Sequence, residues 1–235
     1  MSSLDLMKAR EEEIGRLVKL LFEKSRGFTK PKMVVIGGYA LRAHLPFSRY
    51  SRDCDFVLEK GLDSVNAWRP KGIELETKED AFMRWSKPFG EGKRKAKLGL
   101  DFMEGAVTNR EGASFSVDVR FLKRAKEAEL KIGDRTCRVF AASYPDLFVL
   151  KVVSGRPSDV RDLAALVWKN DVPDVKESLK SLNDEKFFHN SLKEKIIPEM
   201  EHEFFLNSWR GMFVGQDFGE RELKQVIALL RELIL

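Results

Sequence analysis

Leu6, Met7, Ile14, Leu17, Val18, Leu21 and Phe22 recur at the spacing of one helix face, so residues 4–24 are expected to form an amphipathic helix. Ser2 and Ser3 precede it as candidate caps, and Gly27 closes it. Pro31-Lys32 then opens Met33-Val34-Val35-Ile36, a continuous apolar run ending at Gly37-Gly38. A short apolar run between proline and glycine predicts a strand buried on both faces. Residues 39–45 begin a short helix that Pro46 stops, and a polar stretch leads to a second strand at Asp53-Cys54-Asp55-Phe56-Val57-Leu58.

Further along, residues 62–69 predict a short helix closed by Pro70, and residues 73–76 an edge strand. Residues 95–103 alternate: Ala96, Leu98, Leu100 and Phe102 share one face, while Lys97, Gly99, Asp101 and Met103 share the other. Residues 115–129 are expected to be helical, and residues 130–140 a hairpin turned at Gly133-Asp134. From Ser143 onward the pattern is helical throughout, broken near Gly155-Arg156-Pro157, Pro173, Pro198 and residues 211–219. The texture changes near residue 140. A mixed α/β domain over residues 1–140 and a helical domain over residues 141–235 are the expected organisation, with an α+β fold class.

Composition narrows the functional classes. The 235 residues are 43% hydrophobic and 34% charged, a globular mixture without low-complexity bias. No apolar stretch approaches membrane-spanning length, and the N-terminus lacks the apolar core of a signal peptide. Cys54 and Cys137 are expected to be reduced thiols of a cytoplasmic protein. Residues 1–140 hold 29 Lys+Arg against 21 Asp+Glu, a net +8; residues 141–235 hold 13 against 16, a net −3. The basic excess, densest at Lys93-Arg94-Lys95-Ala96-Lys97, suits an anionic partner such as nucleic acid, although a solvated loop would read the same.

Candidate chemistry gathers in the mixed part. A strand ending in Gly37-Gly38 and opening a helix can cradle phosphate, because glycine lets the backbone approach and a helix start offers unpaired N–H groups. Asp53 and Asp55, two apart on a strand, face one side about 7 Å apart at their backbones, given a rise of ~3.3 Å per residue. Hard divalent cations favour such oxygen donors. Asp101 on the alternating strand is the preferred third carboxylate, with Gly99 beside it leaving room for a ligand. Asp118 is the competitor, set aside because residues 115–129 are expected to be helical. His44, His189 and His202 are too scattered for a zinc set, and no Cys-x-x-Cys occurs. Phe187-Phe188, Phe204-Phe205 and Trp209 suit a C-terminal core better than a base-stacking platform.

Taken in order, these residues resemble the DNA polymerase β-like nucleotidyltransferases, and most closely the branch of abortive-infection type IV toxins. The resemblance rests on Ile36-Gly37-Gly38-Tyr39-Ala40-Leu41, on Arg49-Tyr50-Ser51-Arg52-Asp53-Cys54-Asp55, and on Lys151 followed by Arg156-Pro157-Ser158-Asp159-Val160-Arg161-Asp162-Leu163. It covers roughly residues 30–168. Gly37-Gly38 departs from the Gly-Ser of the wider superfamily and so lacks a phosphate-contacting hydroxyl. The resemblance implies a nucleotidyltransferase-fold mixed sheet with flanking helices, followed by a C-terminal helical region. It further implies that Gly37 and Gly38 hold the phosphates of an NTP, and that Asp53, Asp55 and Asp101 bind two Mg2+ ions. Asp101 would also help deprotonate the acceptor hydroxyl. Arg49, Ser51 and Lys151 are implied nucleotide contacts. Arg156, Asp159 and Asp162 are secondary candidates; for the two aspartates, helix packing and ion pairing with Arg156 and Arg161 is the competing role. The implied activity moves a nucleoside monophosphate to a hydroxyl on RNA, a tRNA end included, or on protein, with a cognate antitoxin as partner. A non-catalytic nucleotide- or RNA-binding module of the same fold is the alternative from another class, and a small-molecule nucleotidyltransferase is a third.

Overall fold

The computed structural model describes residues 3–89 and 96–234. By its internal contacts the chain divides into two compact units. The first comprises Met1–Ala43, Tyr50–Val107 and Val117–Ala142; the second comprises His44–Arg49, Thr108–Ser116 and Ser143–Leu235.

The first unit is built on a seven-stranded mixed sheet. Its strands are β1 (Met33–Ile36), β2 (Asp53–Leu58), β3 (Glu74–Lys78), β4 (Phe82–Phe89), β5 (Ala96–Glu104), β8 (Lys126–Ile132) and β9 (Arg135–Ala141). Two short strands, β6 (Ala106–Thr108) and β7 (Ser114–Ser116), lie outside it. The sheet order is β3-β4-β5-β2-β1-β9-β8. β2 runs parallel to β5 and antiparallel to β1, and β1 runs parallel to β9. Both central strands are thus flanked on two sides, which is why β1 is buried along its whole length.

Helix α1 (Ser3–Lys24) packs its apolar stripe on this sheet. Ile14, Leu17, Val18 and Leu21 are fully buried, each such side chain contributing about 1.5–3 kcal/mol by removal from water. The polar side of the same helix reaches the β8–β9 hairpin: Asp134 N–H donates to Glu12, and Arg42 bridges Glu11 and the Lys131 carbonyl. Helix α2 (Gly37–Ala40) follows β1 and continues as a 3-10 turn, Leu41–Ala43; α3 (Leu62–Ala67) follows β2.

Two expectations are corrected here. Residues 115–129 are not one helix. Only α4 (Val119–Arg124) is helical, started by Asp118, whose carboxylate accepts from the Arg120 and Phe121 N–H groups. The ladder partners Lys126↔Ala141 to Ile132↔Arg135 extend the hairpin back to residue 126, so pairing with β9 takes the residues that helical spacing had claimed. β4 was absent from the sequence expectations altogether. Its Met83 and Trp85 are fully buried on either side of Arg84, but the buried Ser86 followed by Lys87 and Pro88 breaks the alternation after three residues. The predicted edge strand falls at Glu74–Lys78 and does lie at the sheet's edge.

The second unit contains α5 (Tyr144–Ser154), α6 (Pro157–Asn170), α7 (Lys176–Leu179), α8 (Glu185–Ser191), a π-type turn at Leu192–Ile196, α9 (Ile197–Glu201), α10 (Phe205–Met212) and α11 (Glu220–Glu232). Ser143 caps α5, Gly155 ends it in the left-handed region, and Pro157 starts α6 without needing an N–H partner. Phe188, Phe205 and Trp209 are core, with Trp209 stacked on Phe218 at 4.3 Å between centroids, whereas Phe204 is exposed. No helix among the described residues is long and apolar enough to cross a membrane.

Candidate active site

The acidic residues meet because of strand register. β2 and β5 run parallel with Asp55 opposite Asp101 and Asp53 opposite Gly99. Side chains two apart share a face, so Asp53, Asp55 and Asp101 come to one side of the sheet. β1 adds the glycine turn: Ile36 is opposite Asp55, and Gly37 follows with φ +66. A Cβ on Gly37 would stand 2.0 Å from Asp55 Oδ2. Both the left-handed backbone and the carboxylate's approach therefore require glycine here.

On the other flank, β4 places Arg84 opposite Asp101. Its guanidinium donates from Nη2 to Asp53 Oδ1 at 2.8 Å and from Nη1 to Asp101 Oδ2 at 3.3 Å. Arg84 Nε lies 3.5 Å from Glu76 Oε2, and Lys97 pairs with Glu76 at 2.7 Å. The space above Gly99 is taken by this pair: a Cβ there would meet Asp53 Oδ1 at 2.5 Å and Arg84 Nη2 at 2.6 Å. Arg84, Glu76 and Lys97 were not among the sequence candidates as parts of this site. The only signal for Arg84 is its place between the buried Met83 and Trp85.

Asp101 is a strongly perturbed carboxyl on this face. Burial, reinforced by the Asp55 and Asp53 charges and opposed by Arg84, pushes it up to about 7. Its Oδ1 is buried and has no hydrogen-bond partner. An orphaned carboxylate oxygen beside two further carboxylates fits a hard divalent cation by donor chemistry. Among the described residues, however, no three His, Cys, Asp or Glu side chains are grouped to hold an ion as they stand, and Arg84 bridges Asp53 and Asp101.

The remaining candidates are placed as follows. Asp118 is occupied as the α4 cap, with its carboxyl held below the usual range despite partial burial, chiefly by the Phe121 N–H and Arg120. Ser51 donates to the Asp53 carbonyl at 3.0 Å, bracing the entry to β2, and Gly38 is buried in α2. Arg49, Lys151, Arg156, Asp159 and Asp162 belong to the second unit and form one ionic network there. Lys151 Nζ donates to Asp159 Oδ1 at 2.6 Å and Asp162 Oδ2 at 2.7 Å. Arg49 grips Asp162 with two parallel bonds of 2.7 Å, and Arg156 Nε reaches Asp159 Oδ2 at 2.8 Å. Arg161 donates instead to the Ser208 hydroxyl. Burial by itself would lower the Lys151 pKa, but the two carboxylates outweigh it and raise it; Asp159 is correspondingly held well below the usual carboxylate range by Lys151 and Arg156. Of the basic run, residues 93–95 lie outside the described residues.

A seven-stranded mixed sheet that brings a glycine turn beside paired aspartates defines a protein of the nucleotidyltransferase class. Residues 19–213 match the family described as Nucleotidyl transferase AbiEii toxin, Type IV TA system, and the chain belongs to that family. Its fold is similar to the crystal structure of a candidate nucleotidyltransferase from Helicobacter pylori, at 18% identity and a TM-score of 0.50 over 92% of each chain. JHP933 from Helicobacter pylori is similar at 17% identity and a TM-score of 0.49, over 92% of this chain and 89% of that one. No curated protein matches the chain.

Proposed function

We propose that the protein transfers a nucleoside monophosphate from an NTP to a hydroxyl of RNA, a tRNA end being the first candidate, or of a protein. In this reading it is a toxin restrained by a cognate antitoxin, with its catalytic domain over residues 1–140 and a helical domain over residues 141–235. The observation that carries it is the convergence of Asp53, Asp55 and Asp101 on one face beside the Gly37 turn.

Asp53, Asp55 and Asp101 would hold two Mg2+ ions. When bound, these supply charge neutralisation at the phosphates and a lowered pKa at the attacking hydroxyl. Gly37 and Gly38 let the phosphates approach the backbone. Asp101, with its orphaned Oδ1, is suited to take the proton as the acceptor oxygen bonds to the α-phosphorus. The bond from that phosphorus to the bridging oxygen breaks, and pyrophosphate leaves. Ser51 keeps the Asp53 backbone in place. Arg49 and Lys151, also assigned to the nucleotide by resemblance, already hold Asp162, and that role is tested separately by their replacement.

Calorimetry with NTP should show binding that requires Mg2+ and that Asp53→Ala/Asp55→Ala abolishes; binding that survives the double change excludes this site. Incubation with each labelled NTP, Mg2+ and total tRNA or lysate then locates the acceptor by where the label appears.

A further inference from the structure

The Arg84 guanidinium stands where a cation is wanted. It touches Asp53 Oδ1 and Asp101 Oδ2, on two of the three carboxylates assigned to the metal under the proposed function, on which this inference rests. Gly99 shapes the space around this contact, because any side chain there would collide with both Asp53 and Arg84. We propose that Arg84 competes with the divalent cation for Asp53 and Asp101, so that metal loads together with nucleotide and not ahead of it.

Three observations make the arginine a displaceable occupant. Its bond to Asp101 is 3.3 Å, long for a charge-assisted contact, and Asp101 Oδ1 is left with no partner. The Arg84 side chain is 30% exposed and Asp53 32%, so the pair is partly solvated and only modestly stable. Arg84 also sits on β4 next to the edge strand β3, whose Glu76 Oε2 lies 3.5 Å from its Nε and gives the guanidinium another anionic partner when it leaves Asp53 and Asp101. A guanidinium stays charged at any working pH, so metal alone always meets this competitor. A triphosphate changes the balance. Its tetrahedral phosphoryl groups present pairs of oxygens that a planar guanidinium can bond bidentately, and so give Arg84 somewhere to go as the carboxylates turn to metal. Linkage then requires that NTP strengthen metal binding and metal strengthen NTP binding by one factor.

The test is Mn2+ binding to the whole protein, followed by electron paramagnetic resonance without nucleotide and with each NTP in turn. Wild-type protein should bind Mn2+ weakly alone and at least about tenfold more tightly with its NTP. Arg84→Gln should bind Mn2+ alone about tenfold more tightly than wild type, and NTP should add less. Arg84→Lys, which keeps the charge, should restore weak binding of Mn2+ alone. Unchanged Mn2+ affinity in a folded Arg84→Gln protein, judged by circular dichroism, overturns the competition while leaving the proposed function standing. Should that variant not fold, the wild-type measurement decides: Mn2+ that binds equally well with and without NTP overturns it. Mn2+ that fails to bind wild type with any NTP removes the site assignment and this inference together.

Discussion

At the scale of single residues, Asp101 shows how environment overrides residue type. Its sequence context, Gly99-Leu100-Asp101-Phe102, marks a strand residue but not the burial and the two neighbouring carboxylates that raise its pKa. The folded protein therefore holds this proton more tightly than the unfolded chain, whose carboxyl keeps the ordinary value of 3.8. Between that value and about 7 the native state binds more protons, so this group costs stability increasingly as pH rises through the window and costs its full amount above it. Asp101→Asn should accordingly raise the thermal midpoint of the metal-free protein at about pH 8, by a stability gain on the order of 1–2 kcal/mol once partial exposure is discounted. Near pH 4 the gain should vanish. Scanning calorimetry at both pH values checks this, and an equal effect at both would mean that Asp101 is not protonated by its surroundings.

At the scale of elements, the α5–α6 pair shows a polar cluster binding two helices. Lys151 comes from α5; Asp159 and Asp162 come from α6, one turn apart on a shared face. All three are buried, so each charge depends on the others. Lys151→Met should destabilise the protein by about 3 kcal/mol, at the low end for breaking a buried pair, because Arg49 and Arg156 still hold the two carboxylates. Urea unfolding measures it. Nucleotide affinity measured on the same variant separates the structural role from the binding role: a loss of stability with unaltered NTP affinity removes Lys151 from the nucleotide site. The spacing Arg156-x-x-Asp159-x-x-Asp162 was visible in the sequence, but which basic residues would answer which acid was not. Arg49, more than a hundred positions away, takes one carboxylate, and Arg161 takes none.

At the scale of the whole molecule, charge is distributed unevenly along the chain, +8 over residues 1–140 and −3 over residues 141–235. If RNA is the acceptor, phosphate contacts release counterions and affinity falls steeply with salt. Lys97 is already paired with Glu76, so the contribution of the basic run is assigned to Lys93, Arg94 and Lys95. Replacing these three by alanine should weaken RNA binding across sequences and reduce the salt slope by up to about three, roughly one per lost contact. NTP affinity should change little. Filter binding across a salt series reads both quantities, and an unaltered slope would favour a protein acceptor.

Local pattern by itself determined α1, β1, β2, the alternating β5, the turn at Gly133-Asp134 and the helical character after Ser143. Each of these rests on near-neighbour physics: apolar periodicity, strand alternation, proline and glycine stops. It also singled out Asp53, Asp55 and Asp101, since paired carboxylates on strands and glycines at a strand end are local features. Tertiary structure decided what depends on partners. It took residues 126–129 from a helix into the hairpin, because β9 offered a ladder. It turned Asp118 into a cap, and it inserted β4, whose broken alternation is intelligible only beside β5. Through that insertion came Arg84, a cation set among the carboxylates by strand register. Register is a relation between distant segments, so no window of the sequence contains it.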